Sequence, residues 1–191
     1  MYYDAARQAL DRLYRALDDV PGIDDQYYRP LGYTVYRTYY SPETDILWDK
    51  LIADLELMMK ESIEETFGFE DEGIITNGEV EATRKLKCLV HLDALSDPVL
   101  LDGCDDEQLR QIFLDTKKND PIHGVPGRHR VFLVVDSTVF EKLDCEMPWI
   151  RAVEIDYEAE RYEDWRNPRF ANQPQRYWGW MKLSLESLFE L

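Results

Sequence analysis

Cys88 and His91 stand in a C-x-x-H arrangement, the spacing of a zinc half-site. A structural zinc needs four soft ligands. The second pair would have to be His123 and His129, across a loop. A lone half-site is a weak signal, and its plainer reading is a buried thiol beside a surface imidazole, so no metal ligand and no cofactor are assigned. Ser137 follows an apolar run and Asp136, where α/β enzymes often place reacting groups. A serine nucleophile needs a base in reach and a turn that exposes it. The chain has no G-x-S-x-G elbow. Asp136-Ser137-Thr138 therefore reads as a strand end entering a helical turn through Phe140 and Leu143, and no catalytic residue is assigned.

The compact basic segment is His123-Gly124-Val125-Pro126-Gly127-Arg128-His129-Arg130. Its glycines would let backbone approach an anion, and Arg128 or Arg130 would hold a carboxylate or phosphate. Neither G-x-x-x-x-G-K nor G-x-G-x-x-G occurs. The other reading is a loop whose arginines pair with an acidic surface. Asp93, Asp97, Asp102, Asp105 and Asp106 crowd one region without EF-hand spacing. Asp105, with Gln108 three residues on, reads as a helix cap, and Asp97 as the residue before Pro98. Residues 41 to 75 carry 11 acids and 2 lysines. That excess is either the solvated face of a helix or a docking face for a basic partner.

The elements that must position these groups follow from periodicity. Ala6, Leu10, Leu13 and Leu17 mark a helix over 2–19, ended by Pro21-Gly22. Leu31 to Tyr40 is the best strand, almost all β-branched or aromatic. Ser41-Pro42 opens a helix to about Thr66 with the stripe Trp48, Ile52, Leu55, Met59 and Ile63. Residues 68–78 read as an acidic loop, and 79–94 fit either helix or strand. A short helix covers 105–116, and a loop 119–128. The continuous run Val131 to Val135 predicts a strand covered on both sides. Ile150 to Tyr157 predicts a half-exposed antiparallel strand, 158–175 a surface loop, and 177–185 a last alternating strand. The fold class expected is α+β: one sheet of about four mostly antiparallel strands with helices packed against it, a single domain over 1–191. The nearest common architecture is ferredoxin-like with a helical insertion.

The chain has 191 residues and a net charge of −17. Such a surface repels phosphate backbones, so no nucleic-acid partner is expected. Three cysteines form no even disulfide set, and the N-terminus shows no secretory h-region. No apolar stretch reaches membrane-spanning length. A reducing, cytoplasmic setting without a membrane partner is expected.

Gly32-Tyr33-Thr34-Val35-Tyr36-Arg37-Thr38-Tyr39-Tyr40, Asp97-Pro98-Val99-Leu100-Leu101-Asp102-Gly103 and Tyr177-Trp178-Gly179-Trp180-Met181-Lys182 occur together. The combination resembles a group of intracellular proteins common in filamentous ascomycete fungi. The resemblance spans roughly residues 31 to 188 and implies a single cytosolic domain. It brings no catalytic or ligand-binding residue with it.

Function is expected to be non-catalytic binding of a protein or small ligand. The alternatives are a small enzyme with a tyrosine- and carboxylate-lined pocket, and an acidic mimic that occupies a basic partner. Strand alternation puts Tyr36 on one face of its strand, and Trp178 and Trp180 opposite Met181 and Leu183 on theirs. If the first and last strands are neighbours, Tyr36, Trp178 and Trp180 form one aromatic patch, flanked by Arg37 and Lys182. The competing reading has the N-terminal helix cover those rings as core.

Overall fold

Val131–Val135 (β3) has no polar alternation, and Phe132, Leu133, Val134 and Val135 are buried on both faces. Such a strand must be sandwiched, and helices lie on each side of it. The computed structural model describes residues 5–13, 30–67, 77–117, 131–159, 177–185 and 188. In chain order the elements are α1 (Ala5–Leu13), β1 (Thr34–Arg37), α2 (Pro42–Phe67), α3 (Asn77–Leu89), β2 (Asp93–Leu95), α4 (Pro98–Leu101) and α5 (Asp106–Lys117). After β3 come α6 (Ser137–Phe140), β4 (Trp149–Glu154) and β5 (Trp180–Ser184).

The strands form one open sheet in the order β2-β1-β3-β4-β5. β1 is parallel to β2 and to β3, while β4 is antiparallel to β3 and to β5. The α+β class with one sheet stands. The expectation of about four mostly antiparallel strands is roughly compatible with the sheet, which among the described residues has five strands with two parallel and two antiparallel pairings. Two physical reasons account for the difference. β2 is three residues long, too short for its alternation to declare a strand. The β1–β2 and β2–β3 connections both carry helices, which is the length a parallel crossover needs.

Those crossovers also set the layers. From β1 the chain moves one way to β2, then back past β1 to β3. Right-handed connections in opposite directions put their helices on opposite faces. Val35, Leu133, Val135, Ile150 and Ala152 accordingly pack with Trp48, Leu51, Leu55, Met59 and Ile63 of α2, Leu86 of α3, and Ala6 and Leu10 of α1. Tyr36, Phe132, Val134, Val153 and Ile155 pack with Leu101 of α4 and Leu109 and Phe113 of α5. Phe113 stacks on Phe132 with ring centroids 5.7 Å apart. Each fully buried side chain of this size contributes about 1.5–3 kcal/mol.

The stretch 79–94 divides: helix through Leu89, then extended chain. Leu31 bridges Val90, and β2 follows. β4 is antiparallel as expected but not half-exposed, because flanking strands and both helical layers bury Ile150, Ala152 and Val153. Leu17, most of the acidic loop, the loop 119–128 and most of 158–175 lie outside the described residues.

Tyr36 points into the α5 side of the sheet and is fully buried, edge-on to Phe132. Its hydroxyl has no hydrogen-bond partner. Burial, the largest cause, pushes it up to about 12; the nearby Thr116 hydroxyl acts in the opposite direction without closing a well-formed hydrogen bond, and the Asp93 carboxylate adds a smaller rise. In the unfolded chain a tyrosine titrates near its ordinary value of about 10. Above that pH the unfolded state holds fewer protons than the folded one. This contribution to stability is therefore complete below pH ~10 and is lost as pH rises towards the folded value. Tyr36→Phe removes an unsatisfied buried hydroxyl while keeping the ring. We expect it to melt at or above the wild-type temperature at neutral pH. Its melting temperature should also fall less steeply than wild type's above pH ~10. A variant destabilised by more than about 1 kcal/mol at neutral pH would show that the hydroxyl is satisfied.

Candidate functional site

The carboxyl ends of β1, β2 and β3 open on one edge of the sheet. β1 is followed in the chain by a strand on one side of it, β2, and the return leads to β3 on its other side. The crevice beyond β1 and β3 is thus the topological switch point, the usual ligand position in open sheets with parallel strands. Thr38, Tyr39 and Tyr40 follow β1, Ser96 and Asp97 follow β2, and Asp136 follows β3.

Every helix that starts at this edge is closed by a side chain of its own. The Asp97 carboxylate accepts from the Val99 and Leu100 amides of α4 at 2.9 and 3.4 Å. Asp105 and Gln108 exchange hydrogen bonds of 2.9 Å each way, the capping box expected for α5. Asp136 accepts from the Thr138 and Val139 amides at 3.0 and 3.1 Å, and from the Thr138 hydroxyl at 2.6 Å. At α2 the Thr44 hydroxyl accepts from the Ser41 amide at 2.9 Å. Helix amino ends normally attract anions. Here α4, α5 and α6 already hold carboxylates, so this edge presents negative charge where phosphate would otherwise sit.

The two arginines at the edge are turned inward. Arg37 donates to the Tyr39 carbonyl at 3.0 Å, Thr44 Oγ1 at 2.9 Å and Asp45 Oδ1 at 2.6 Å. Its guanidinium lies 4.5 Å from the Tyr40 ring centre, with Trp48 and Phe140 at 5.9 and 5.7 Å. Arg151 on β4 is gripped by Asp106 of α5 and by Asp136, the latter at 3.0 Å. The Trp180 ring lies 5.3 Å from its guanidinium. The edge therefore offers few free positive charges. Burial, the largest cause, raises the Tyr40 hydroxyl above its ordinary value. Burial and then Asp105 and Asp102 raise the Cys104 thiol, whose sulfur donates to the Leu100 carbonyl. That direction opposes thiolate chemistry.

The residues expected to form an aromatic patch are separated. β1 and β5 are not neighbours; β3 and β4 stand between them. Tyr36 and Trp180 do share the α5 face, but Tyr36 is core and Trp180 is half-buried against the same cluster. The covering helix is α5, whereas α1 packs in the opposite layer. Arg37 lies on the other face from Tyr36, 3% exposed, and so cannot flank the patch. Trp178, just before β5, is exposed. Lys182 faces the same way as Trp180, with its Nζ 4.0 Å from the Trp149 ring centre. Arg128, Arg130, His123 and His129 lie outside the described residues. Cys88, Cys104 and Cys145 are unbridged, and among the described residues no Cys, His, Asp and Glu set is grouped for a metal. Ser137 begins α6 beside the capping Asp136.

Sequence reading missed Arg110 and Arg151. Arg110 also pairs with Glu107 and Arg151 with Asp136, but the contacts that tie elements together, to the Glu154 carbonyl and to Asp106, lie 44 and 45 residues away, where no local motif announces them. No protein-family model, curated protein or solved structure matches the chain. Among the described residues no helix is long and apolar enough to cross a membrane.

Proposed function

We propose that the protein is a non-catalytic module that binds a basic protein partner through its acidic surface. The observation that supports this reading is the unequal placement of the charges. Arg37 and Arg110 are 3% and 7% exposed, and Arg151 is held between two carboxylates. Meanwhile Glu43, Asp49, Asp54, Glu61 and Glu65 are exposed on α2 and join no ion pair among the described residues. The net −17 is therefore expressed at the surface. A field of one sign steers an oppositely charged partner and rejects nucleic acid. Unbridged thiols fit a reducing, cytoplasmic setting.

Calorimetric titration with a flexible lysine–glycine peptide tests the reading, with inorganic phosphate as the comparison. Binding of the peptide is expected at low ionic strength, weakening as salt rises. Phosphate is expected not to bind. Saturable phosphate binding, or silence toward the peptide at low salt, would overturn the proposal.

A further inference from the structure

We infer that the outer face of α2 is the docking surface and that its occupant is a basic amphipathic helix. This rests on the reading of the protein as a binder of basic partners, and adds where the partner sits and what shape it has. Thr44, Trp48, Leu51, Leu55, Met59 and Ile63 are the buried side of α2. On the far side, Ile46, Lys50, Ala53 and Leu57 recur at intervals of four, three and four, which aligns them along one helical face. All four are exposed, Ile46 at 78% and Leu57 at 54%. The line runs for about 16 Å, three turns. A partner helix meets such a line with apolar side chains at i, i+3 or i+4, and i+7.

Acids border this line on both sides. At 100° per residue, Asp45, Asp49 and Glu56 fall along one flank and Glu43, Asp54 and Glu61 along the other. Asp45 is paired with Arg37, and Glu56 with Lys60 at 3.9 Å. The remaining four carry their charge to solvent. This arrangement selects among occupants. A second copy of the chain would set two acidic rims against each other, and an anionic lipid surface would be repelled in the same way. A helix with an apolar stripe between lysines or arginines satisfies both the line and its rims. Lys50 sits within the line and asks for a small or acidic residue opposite it.

Two peptides of one composition test the inference, both of leucine, lysine and alanine. One places its leucines at helical spacing, and the other shuffles them. The wild-type protein is expected to bind the first at least about tenfold more tightly. Ile46→Ser with Leu57→Ser should erase that preference, while Val99→Ser, at a 97% exposed position on α4, should not. Circular dichroism and melting temperature check that the double variant folds. Charge reversal at Asp49 and Asp54 gives a second route. It should weaken the helical peptide more than reversal at Glu141 and Glu146, exposed positions in the turn after α6. Equal binding of the two peptides to wild type, or a preference that survives the double variant, overturns the inference while leaving a basic-partner module intact. If neither peptide binds, both readings fall.

Discussion

Alanine at position 32 is expected to cost about 3–5 kcal/mol of stability, a large share of the 5–15 kcal/mol that roughly bounds a domain of this kind. A Cβ there would lie 1.9 Å from the His91 carbonyl oxygen and 2.9 Å from its carbon. Both atoms belong to backbone, so no side chain can swing aside. The backbone is itself pinned: Leu31 donates to the Leu89 carbonyl at 2.8 Å, and the His91 amide donates to Leu31 at 3.0 Å. The Asp93 amide continues the ladder to Tyr33 at 3.0 Å. Making room means parting β2 from β1 where the two first meet. Chemical denaturation of Gly32→Ala should show the midpoint falling with an unchanged slope. A loss under about 1 kcal/mol would mean that the entry to β1 is looser than this geometry.

Arg110→Met is expected to lose about 3 kcal/mol, although it replaces a charge with an apolar chain of similar length. Arg110 Nε donates to the Glu154 carbonyl at 2.8 Å, and Nη2 to the Gly179 carbonyl at 3.3 Å. The guanidinium also stands 5.3 Å from the Tyr157 ring centre. One planar group thus ties α5 to the end of β4 and the start of β5. Methionine fills the space but leaves the Glu154 carbonyl without this donor. Lysine is no substitute, since an ammonium lacks the fork that spans two carbonyls. Gly179 shares the same space: its φ is +77°, and an added Cβ would meet Tyr157 ring carbons at 2.4 and 2.6 Å and Arg110 Nη2 at 2.7 Å. Gly179→Ala and Arg110→Met should therefore combine non-additively in a double-mutant cycle. Additive losses, or an Arg110→Lys variant as stable as wild type, would overturn the account.

Legibility in the sequence followed the range of the forces. Ser41-Pro42 and the Asp105–Gln108 box were readable because caps act within three residues. The α2 stripe and the β3 run were readable because periodicity reports burial directly. β2 was not, since three residues carry no period. The parallel pairing of β1 was not, because strand partners are chosen by the paths of long connections. The aromatic patch failed for the same reason. Alternation placed Tyr36 and Trp180 on their own strands' faces, but only the strand order sets the distance between them. Arg37 looked like a surface anchor, and the β1 ladder turns it inward onto α2.

Both sheet edges defined by the described strands are poor templates for another strand. One is Asp93–Leu95, with three residues and an acid at its start. The other, Trp180–Ser184, carries exposed Lys182 at its centre. Short, charged edges of this kind oppose edge-to-edge growth. Five strands with a buried Val-Phe-Leu-Val-Val segment would otherwise be an amyloid hazard, since that segment alone has the apolar, uncharged character of a fibril-forming stretch. Its central place, with a hydrogen-bonded strand on either side, keeps it from solvent for as long as the sheet stays closed. Aggregation should therefore follow global unfolding and its rate, and not local fraying at the sheet's margins.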